Sequence, residues 1–468
     1  MKKLQVLGIL ISACTLSVSG PGGAQTLQEA LALAYQKNPT LLAARAQLRA
    51  TDESVPIALS GWRPSVSVSG NLTRSRNETR ITGDQGSGAS FTGGTTLRTS
   101  QSTTLQAQQP LFRGFRTLAN TEQAKASVAA QRARLTSTEQ QIMLAAASAY
   151  FDVLRDQAVV DLNEKNIRVL KRQLEATQDR FRVGEITRTD VAQAEARLSG
   201  AIAARIRAEG NLQRSVAAYV STIGQMPQSL TQPKPPEMLP GSLENAISLA
   251  ITDNPNFIAA NFTADAAQQT VRAVRGELLP TVDLQGSYSR AWDTVANQSN
   301  VEGASARAVV TVPLYQKGAV YARLRQAKHT AGQRQLEAEQ ARLDARESVT
   351  SAWENYQAAT ASIDSIAAQI NASEIALEGV QREAEVGSRT VLDVLDAEQE
   401  LLDARVNLVT SQREQLVAAY QLLSAMGKLT AVELGLNVNT YDPTAHYKNV
   451  EGQFFGSSRA AEDDADRR

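Results

Sequence analysis

Two long stretches of the chain share one pattern of apolar positions. From Gly114 to Val183 and from Gly318 to Val386 there is no proline, and apolar side chains recur at steps of three, four and seven residues. This spacing predicts two uninterrupted helices with a coiled-coil seam, each of about 69 residues and roughly 100 Å long. Many seam positions are alanines, which favours close packing of several helices side by side over an isolated two-helix coiled coil.

A glycine ends each long stretch, and a second helical pattern follows it. Gly184 and Gly387 occupy equivalent places, 203 positions apart (387 − 184). Thr390 offers an N-cap hydroxyl, and Asp393 and Asp396 follow near the first turn, where the helix dipole favours acidic groups. The pattern predicts a tight reversal, so that each long helix returns as one arm of a helical hairpin.

A period-two alternation precedes each helical hairpin. From Pro64 and again from Pro280, apolar and polar residues alternate, cross a loop rich in Gly, Ser, Thr and Asn, and alternate again. These segments predict β-hairpins over about 64–112 and 280–315, with loops at roughly 79–99 and 293–303. Four strands cannot close a barrel alone, but their length is near the ~9–11 residues that cross a bilayer. Two arrangements stay open: hairpins pooled by several copies into one transmembrane barrel, or a soluble antiparallel sheet.

The chain is an internal duplication. Asn38-Pro39 and Asn254-Pro255 open corresponding helices, 216 positions apart (254 − 38), and a fixed spacing of this kind indicates a repeat. Each copy is predicted to contain short helices, a β-hairpin and a long helical hairpin. The predicted boundaries are residues 25–224 for the first copy with its helical hairpin at about 114–224, 225–241 for a proline-rich linker, 242–427 for the second copy with its helical hairpin at about 317–427, and 428–468 for a polar tail with a disordered end.

The N-terminus resembles an export signal. Two lysines precede an apolar run from Leu4 to Ile11, and small residues lead to Ala24. Cleavage after Ala24 would make residues 1–24 a signal peptide. The run Ile11-Ser12-Ala13-Cys14 also fits lipoprotein processing, in which Cys14 would become the acylated first residue. By either route the protein is exported.

Composition and charge argue against several classes of function. Lys+Arg and Asp+Glu are both 48, so no basic surface for nucleic acid is indicated. Cys14 is the only cysteine, and His329 and His446 are the only histidines, which leaves little room for a metal site or a cysteine nucleophile. The sequence contains no nucleophile–base pair or phosphate loop, so we predict neither an enzyme nor a cofactor. Both histidines are predicted to be exposed polar residues.

Taken together, these motifs resemble the TolC family of outer-membrane channel proteins over nearly the whole mature length. The resemblance is carried by the two Asn-Pro pairs, by Gln109-Pro110-Leu111-Phe112-Arg113-Gly114, by Phe181-Arg182-Val183-Gly184 with Thr189-Asp190-Val191, and by Val386-Gly387-Ser388-Arg389-Thr390 with Asp393-Val394-Leu395-Asp396-Ala397. Two further segments, Val312 to Gly318 and Tyr441-Asp442-Pro443, are more similar to the type I protein-secretion branch than to the lipidated drug-efflux branch.

The resemblance implies a mainly α-helical protein with a small β part, assembled as a homotrimer. Four strands per protomer would form one twelve-stranded transmembrane β-barrel in the outer membrane, continued into the periplasm by an α-barrel of twelve helices. It implies a passive exit duct for type I protein secretion, recruited by a periplasmic adaptor protein and an inner-membrane ABC exporter or proton-driven pump. Two alternatives stay open: an outer-membrane component of small-molecule efflux, and a coiled-coil scaffold of the envelope that is not a channel.

The resemblance also assigns roles to residues near the hairpin turns. Asp393 and Asp396 match aspartates that ring the periplasmic entrance of the channel. Arg389 matches an arginine that ties neighbouring helices in the closed state, with Thr189 and Asp190 at the positions of its partners. The tyrosine of this latch is Ala384 here. By spacing alone, Asp393 and Asp396 share a helix face and fit two solvated carboxylates equally well.

Overall fold

The computed structural model describes residues 25–79, 94–236, 238–294 and 298–457. Within these ranges, long helices form a layer that carries a four-stranded antiparallel sheet at one end. The predicted signal peptide with Cys14 and the predicted disordered end of the tail at 458–468 lie outside the described residues.

Each copy of the duplication folds into the same order of elements. The first copy contains α1 (Leu27–Lys37), α2 (Pro39–Asp52), α3 (Ser54–Leu59), β1 (Ser65–Thr79), β2 (Gly94–Arg113), α4 (Arg116–Arg182) and α5 (Arg188–Ile223). The second contains α6 (Leu243–Asp253), α7 (Pro255–Gly276), β3 (Thr281–Trp292), β4 (Asn300–Thr311), α8 (Ala319–Glu385) and α9 (Val391–Ala425), followed by the short α10 (Ala445–Val450). The predicted helical class and the duplication are confirmed.

The four longest helices form two antiparallel pairs. Helices α4 and α8 have 67 residues each, which corresponds to about 100 Å. Helix α5 packs back along α4, and α9 packs back along α8, as predicted for two helical hairpins. The returning helices are shorter, with 36 and 35 residues, so each covers only about half of its long partner.

Two asparagines join the short helices end to end with the returning helices. The Asn254 side chain caps α7 by accepting a hydrogen bond from the backbone N–H of Asn256 at 3.0 Å, and its Nδ2 donates to the carbonyl of Ala425 at 3.0 Å. In the first copy, Asn38 caps α2 and donates to the carbonyl of Thr222 at the same distance. Each asparagine therefore pairs a backbone N–H at the start of one helix and a backbone carbonyl at the end of another, groups that otherwise have no partner within their helices.

These joints make four struts of similar span. We use strut for α4, for α8, for α5 continued by α2 and α3, and for α9 continued by α7. Helix α4 packs against α5 and α2 on one side and against α9 and α7 on the other, while α8 packs against α9 and α7. Every strut runs from the hairpin tips to the foot of the sheet, because α3 and α7 lead directly to β1 and β3.

The sheet has one apolar face and one polar face. Its strands lie in the order β1-β2-β3-β4. Cross-strand partners share a face, and one such row is Val68, Leu105, Tyr288 and Ala304. The adjacent row, on the opposite face, is Ser67, Gln106, Ser287 and Ser305. The predicted alternation therefore crosses all four strands in these rows, whereas Thr103, Arg290 and Glu302 interrupt the apolar face further along.

The predicted loops were too long. Strand β2 begins at Gly94, within the loop predicted at 79–99, and pairs with the end of β1 from that residue onward. Strand β4 likewise begins at Asn300, within the loop predicted at 293–303. The Thr, Ser and Gly residues there have loop-like composition, but backbone pairing with a neighbouring strand does not depend on apolar side chains.

The first half of the predicted polar tail is part of the core. Leu429, Ala431, Leu436 and Val450 are buried. The prediction that His446 is an exposed polar residue was wrong, because its Nδ1 lies 3.1 Å from Oδ2 of Asp52, a fully buried carboxylate at the end of α2. A few apolar residues spread through a polar segment are enough to hold it against the helices.

The joint between α9 and α7 gives a test of the struts. We expect Asn254→Ala to lower the free energy of unfolding by about 1–2 kcal/mol, because it removes a cap and leaves a helix-end carbonyl unpaired. Asn254→Asp keeps the cap but cannot donate to Ala425, so it should not restore the wild-type Tm measured by circular dichroism. The exposed Asn449→Ala is the control. Full recovery by Asn254→Asp would mean that the bond to Ala425 contributes nothing.

Candidate functional site: the tips of the helical hairpins

Both hairpins reverse at a glycine in the left-handed region. Gly184 has a φ of 81° and Gly387 a φ of 80°, which residues with a Cβ adopt only at a cost. Beyond Gly387, the N–H of Ser388 donates to the carbonyl of Glu383 at 2.9 Å. The first copy closes in the same way, so each tip is a helix C-terminus sealed by its own backbone.

A capping box starts each returning helix. Oδ2 of Asp393 accepts hydrogen bonds from the N–H of Thr390 at 2.9 Å and from its hydroxyl at 2.8 Å, while the Thr390 hydroxyl accepts from the N–H of Asp393 at 3.2 Å. Thr187 and Asp190 form the equivalent box in the first copy. These hydrogen bonds lower the pKa of the carboxyl groups of Asp393 and Asp190.

The two predicted entrance carboxylates have different partners. Asp393 belongs to the cap of its own helix, whereas Asp396, one turn later, forms an ion pair with Arg197 of α5. That ion pair joins the two hairpins of one chain near their tips. Neither its sequence separation nor its residue types gave a signal, so sequence reasoning missed Arg197. Thr187 could have been found, because it lies 203 positions before Thr390 (390 − 187).

The predicted latch is not assembled within one chain. Nε of Arg389 donates to Oε2 of Glu383 at 2.9 Å, across the turn of its own hairpin. The carboxylate of Asp190 accepts hydrogen bonds from the N–H and the hydroxyl of Thr187, and Thr189 is exposed. A contact of Arg389 with Thr189 or Asp190 stays a prediction for neighbouring chains. Ala384, at the place of the expected tyrosine, is buried with 8% of its surface exposed.

An apolar cluster holds the two hairpins together behind the tips. Ile167 and Leu170 of α4, Ala194 of α5, and Val391 and Leu395 of α9 are buried against one another. The start of α9 therefore rests on the first hairpin, on the same helix as Asp396. A shift of the second hairpin would have to separate this cluster and the ion pair to Arg197 together.

A groove lies between α4, α5 and α9 beside this cluster. Its volume is about 690 Å³. Three small residues of α5, Gly200, Ala201 and Ala204, line one wall, and Asn163 and Asn166 of α4 line another. Small side chains let a further helix approach the backbone closely, and the asparagine amides can both donate and accept hydrogen bonds.

The extreme tips expose apolar side chains. Val183 and Val386, each directly before a turn glycine, have 79% and 80% of their surface exposed. Each hairpin therefore ends in an exposed valine that a partner protein could cover.

The described ranges contain neither a membrane-spanning helix nor a cluster of metal-binding side chains. In residues 25–79, 94–236, 238–294 and 298–457, no helix is long and apolar enough to cross a membrane. In the same ranges, no group of three or more His, Cys, Asp and Glu residues could hold a metal ion.

Comparisons with known proteins match both copies. The family model described as outer membrane efflux protein matches residues 30–225 and 246–428. The chain is 37% identical to outer membrane efflux protein BepC of Brucella suis, over 97% of this chain and 96% of BepC. It is 28% identical to outer membrane protein TolC of Vibrio cholerae, over 94% of this chain and 98% of TolC.

More distant matches extend the comparison. The chain is 25% identical to the alkaline protease secretion protein AprF of Pseudomonas aeruginosa, over 71% of each. Among solved structures, the Campylobacter jejuni CmeC outer membrane channel superimposes with a TM-score of 0.76 at 16% identity, covering 91% of this chain and 89% of CmeC. At that identity the superposition supports the fold alone.

The cap at Asp393 gives a prediction with a defined sign. Because the folded pKa of Asp393 is lowered, its stabilisation of the tip is present above the unfolded pKa and is lost as pH falls through the folded pKa. Asp393→Asn mimics the protonated state. At pH 7 we expect backbone amides at 388–396 to exchange hydrogen faster in the variant, by about two- to fivefold, because the charge-assisted hydrogen bonds of the cap are weakened.

The first hairpin is an internal control for this measurement. Peptides covering 181–193 keep their own cap at Asp190 and should exchange at the wild-type rate. When mass spectrometry is repeated at successively lower pH, the wild-type tip should converge on the variant. Equal exchange at pH 7 would contradict a stabilising role of the Asp393 cap.

Proposed function

Because the chain belongs to the outer membrane efflux protein family, we propose that three copies of it close one continuous exit duct for type I protein secretion. Proteins of this family are channels of the outer membrane rather than enzymes, and this chain is an outer-membrane efflux or secretion channel. The number of copies, the cargo, the partners and the roles of individual residues are the proposal.

The two edges of the sheet carry this proposal. Strands β1 and β4 have 15 and 12 residues, and in the described chain their outer edges face no further strand. A strand in lipid must pair all its backbone N–H and carbonyl groups, since no water is there to replace a partner. Pairing β4 of one copy with β1 of the next satisfies both edges, and three copies give a closed barrel of twelve strands.

The two faces of the sheet agree with such a barrel. Its apolar face contains Val66, Val68 and Leu72, which would contact lipid, and the Ser- and Gln-rich face would line an aqueous lumen. Below it, three sets of four struts would continue the wall as a tunnel of twelve helices. Each strut connects to the foot of the sheet, so barrel and tunnel share one axis.

The tips are the proposed docking region for a periplasmic adaptor protein. The groove between α4, α5 and α9 fits an added helix, and Val183 and Val386 offer apolar contacts at the ends. An inner-membrane ABC exporter, or a proton-driven pump, would supply the energy that drives transport through this passive duct.

Charged residues at the tips are the proposed gate. Asp393 and Asp396 from three copies would place six carboxylates around the entrance, with three of them opposed by Arg197. Such a ring favours cations. Arg389 would exchange Glu383 for Thr189 or Asp190 of a neighbouring copy when the entrance closes.

Small-molecule efflux is the second candidate function. The name of BepC, which is 37% identical, refers to efflux, whereas that of AprF refers to protease secretion. The segments Val312 to Gly318 and Tyr441 to Pro443 favour secretion. Cargo is selected largely by the adaptor and the exporter, so the channel sequence alone supports both.

Conductance across planar bilayers tests the channel and its gate. We expect small, cation-selective steps from the purified protein, and a clear loss of selectivity in Asp393→Ala/Asp396→Ala. Arg197→Ala should raise the selectivity, because it releases the Asp396 carboxylate. Glu354→Ala is the control, an exposed acidic residue in the middle of α8. If both tip variants keep the wild-type cation selectivity, the constriction lies elsewhere in the protein. If the purified protein gives no conductance steps, the channel function is contradicted.

Deleting the gene separates the two cargo classes. For type I secretion, we expect one or a few large proteins to disappear from the culture medium, with little change in sensitivity to toxic small molecules. The wild-type gene supplied on a plasmid is the control and should restore those proteins to the medium. Unchanged secreted proteins with a marked rise in drug sensitivity would favour efflux instead.

A further inference from the structure

The C-terminal segment returns to the foot of the sheet. After α10, which lies against α2, residues 451–457 continue towards the start of β1. Nη1 of Arg63 donates a hydrogen bond to the carbonyl of Gln453 at 2.8 Å. Arg63 comes two residues before Ser65, the first residue of β1. This bond therefore places the last described residues at the level where the strands begin.

Two consecutive phenylalanines are presented at this level. The guanidinium of Arg63 lies 4.0 Å from the ring centre of Phe454, a cation–π contact that supports the ring from one side. The rings of Phe454 and Phe455 are 6.5 Å apart. Phe454 has 64% and Phe455 91% of its surface exposed. Two rings held beside a charged group, yet uncovered, need an apolar environment that the described part of the chain does not supply.

Further apolar side chains are exposed close to Arg63 in the sequence. Trp62, one residue before Arg63, and Ile57 of α3 are also exposed. Val66 and Val68 follow immediately on the apolar face of β1. The headgroup region of a bilayer is roughly 5–8 Å thick on each side of the hydrocarbon core. Aromatic side chains with a nearby basic group favour that boundary.

We propose that Phe454 and Phe455 form a membrane anchor that inserts at the inner-leaflet boundary of the outer membrane. This inference rests on the proposed barrel, which puts the foot of the sheet at that boundary. The occupant of the apolar surface is lipid: the rings contact the upper acyl chains, and Arg63 faces the headgroup phosphates. The anchor holds the C-terminal segment, and through His446 and Asp52 the end of α2, at a fixed height relative to the bilayer.

Site-specific labelling can locate these rings. Cys14 is the only cysteine of the sequence. Since both predicted processing routes remove or acylate it, we expect an introduced cysteine to be the only free thiol in the mature protein. Phe455→Cys is labelled with an environment-sensitive fluorophore and reconstituted into vesicles. Val68→Cys, on the apolar face of the sheet, is the control for lipid contact. The exposed Ala176→Cys is the control for water contact, because its helix α4 is flanked on both sides by helices of its own chain.

Two quenchers then distinguish the surroundings. We expect lipids with brominated acyl chains to reduce emission at Phe455→Cys and Val68→Cys, and dissolved iodide to reduce emission chiefly at Ala176→Cys. Quenching of Phe455→Cys by iodide but not by bromolipid would overturn the anchor. Protection from both quenchers would also overturn it, because the ring would then be covered by a neighbouring copy.

The controls separate this inference from the proposed function. If bromolipid fails to quench Val68→Cys, the sheet is not in the membrane and the barrel itself is contradicted. If it quenches Val68→Cys but not Phe455→Cys, only the anchor fails. As a second measurement, Phe454→Ala/Phe455→Ala should leave the assembled protein intact while the label at Gln453→Cys loses its bromolipid quenching.

Discussion

The structure depends on one constraint, that backbone hydrogen bonds cannot be left unpaired in lipid. A single chain contributes, in its described residues, four strands with two long outer edges, and an isolated sheet of this kind would be unstable in a membrane and prone to aggregate in water. Under the proposed function, assembly is therefore part of the fold. If the edges of β1 and β4 pair between copies, the struts of each copy stand side by side below the barrel and all the tips lie at the same end.

The duplication builds most of the chain from one repeated unit, which must also pair its backbone groups at the ends of its helices. One unit, consisting of short helices, two strands and a helical hairpin, is used twice. In each unit the returning helix is only about half as long as its partner, so a second helix must continue it towards the sheet. The Asn-Pro pairs provide this continuation, because the asparagine pairs with a helix end behind it while the proline starts the next helix without needing its N–H. The wall is thus continuous, although only α4 and α8 are unbroken.

The tips combine a rigid turn with contacts of different strength. The glycine turns and capping boxes are local and would persist in any arrangement of the hairpins. The ion pair between Arg197 and Asp396 and the apolar cluster with Leu395 join the two hairpins, and an exposed ion pair is worth little by itself. If the tips form the proposed entrance, movement between the hairpins would leave the turns and caps intact and would separate only this ion pair and this apolar cluster.

The helices, strands and turns of this protein could be predicted from its amino acids, because their causes are local. Periods of two and of three to four residues set the strands and helices, Gly184 and Gly387 set the turns, and Thr390 with Asp393 set a helix start. The duplication was visible as constant spacing. Which distant groups meet depends instead on how the helices pack: Asp396 with Arg197, and His446 with Asp52, are 199 and 394 positions apart. Packing also extended β2 and β4 into segments predicted as polar loops, because strand pairing joins backbones and does not require apolar and polar side chains to alternate.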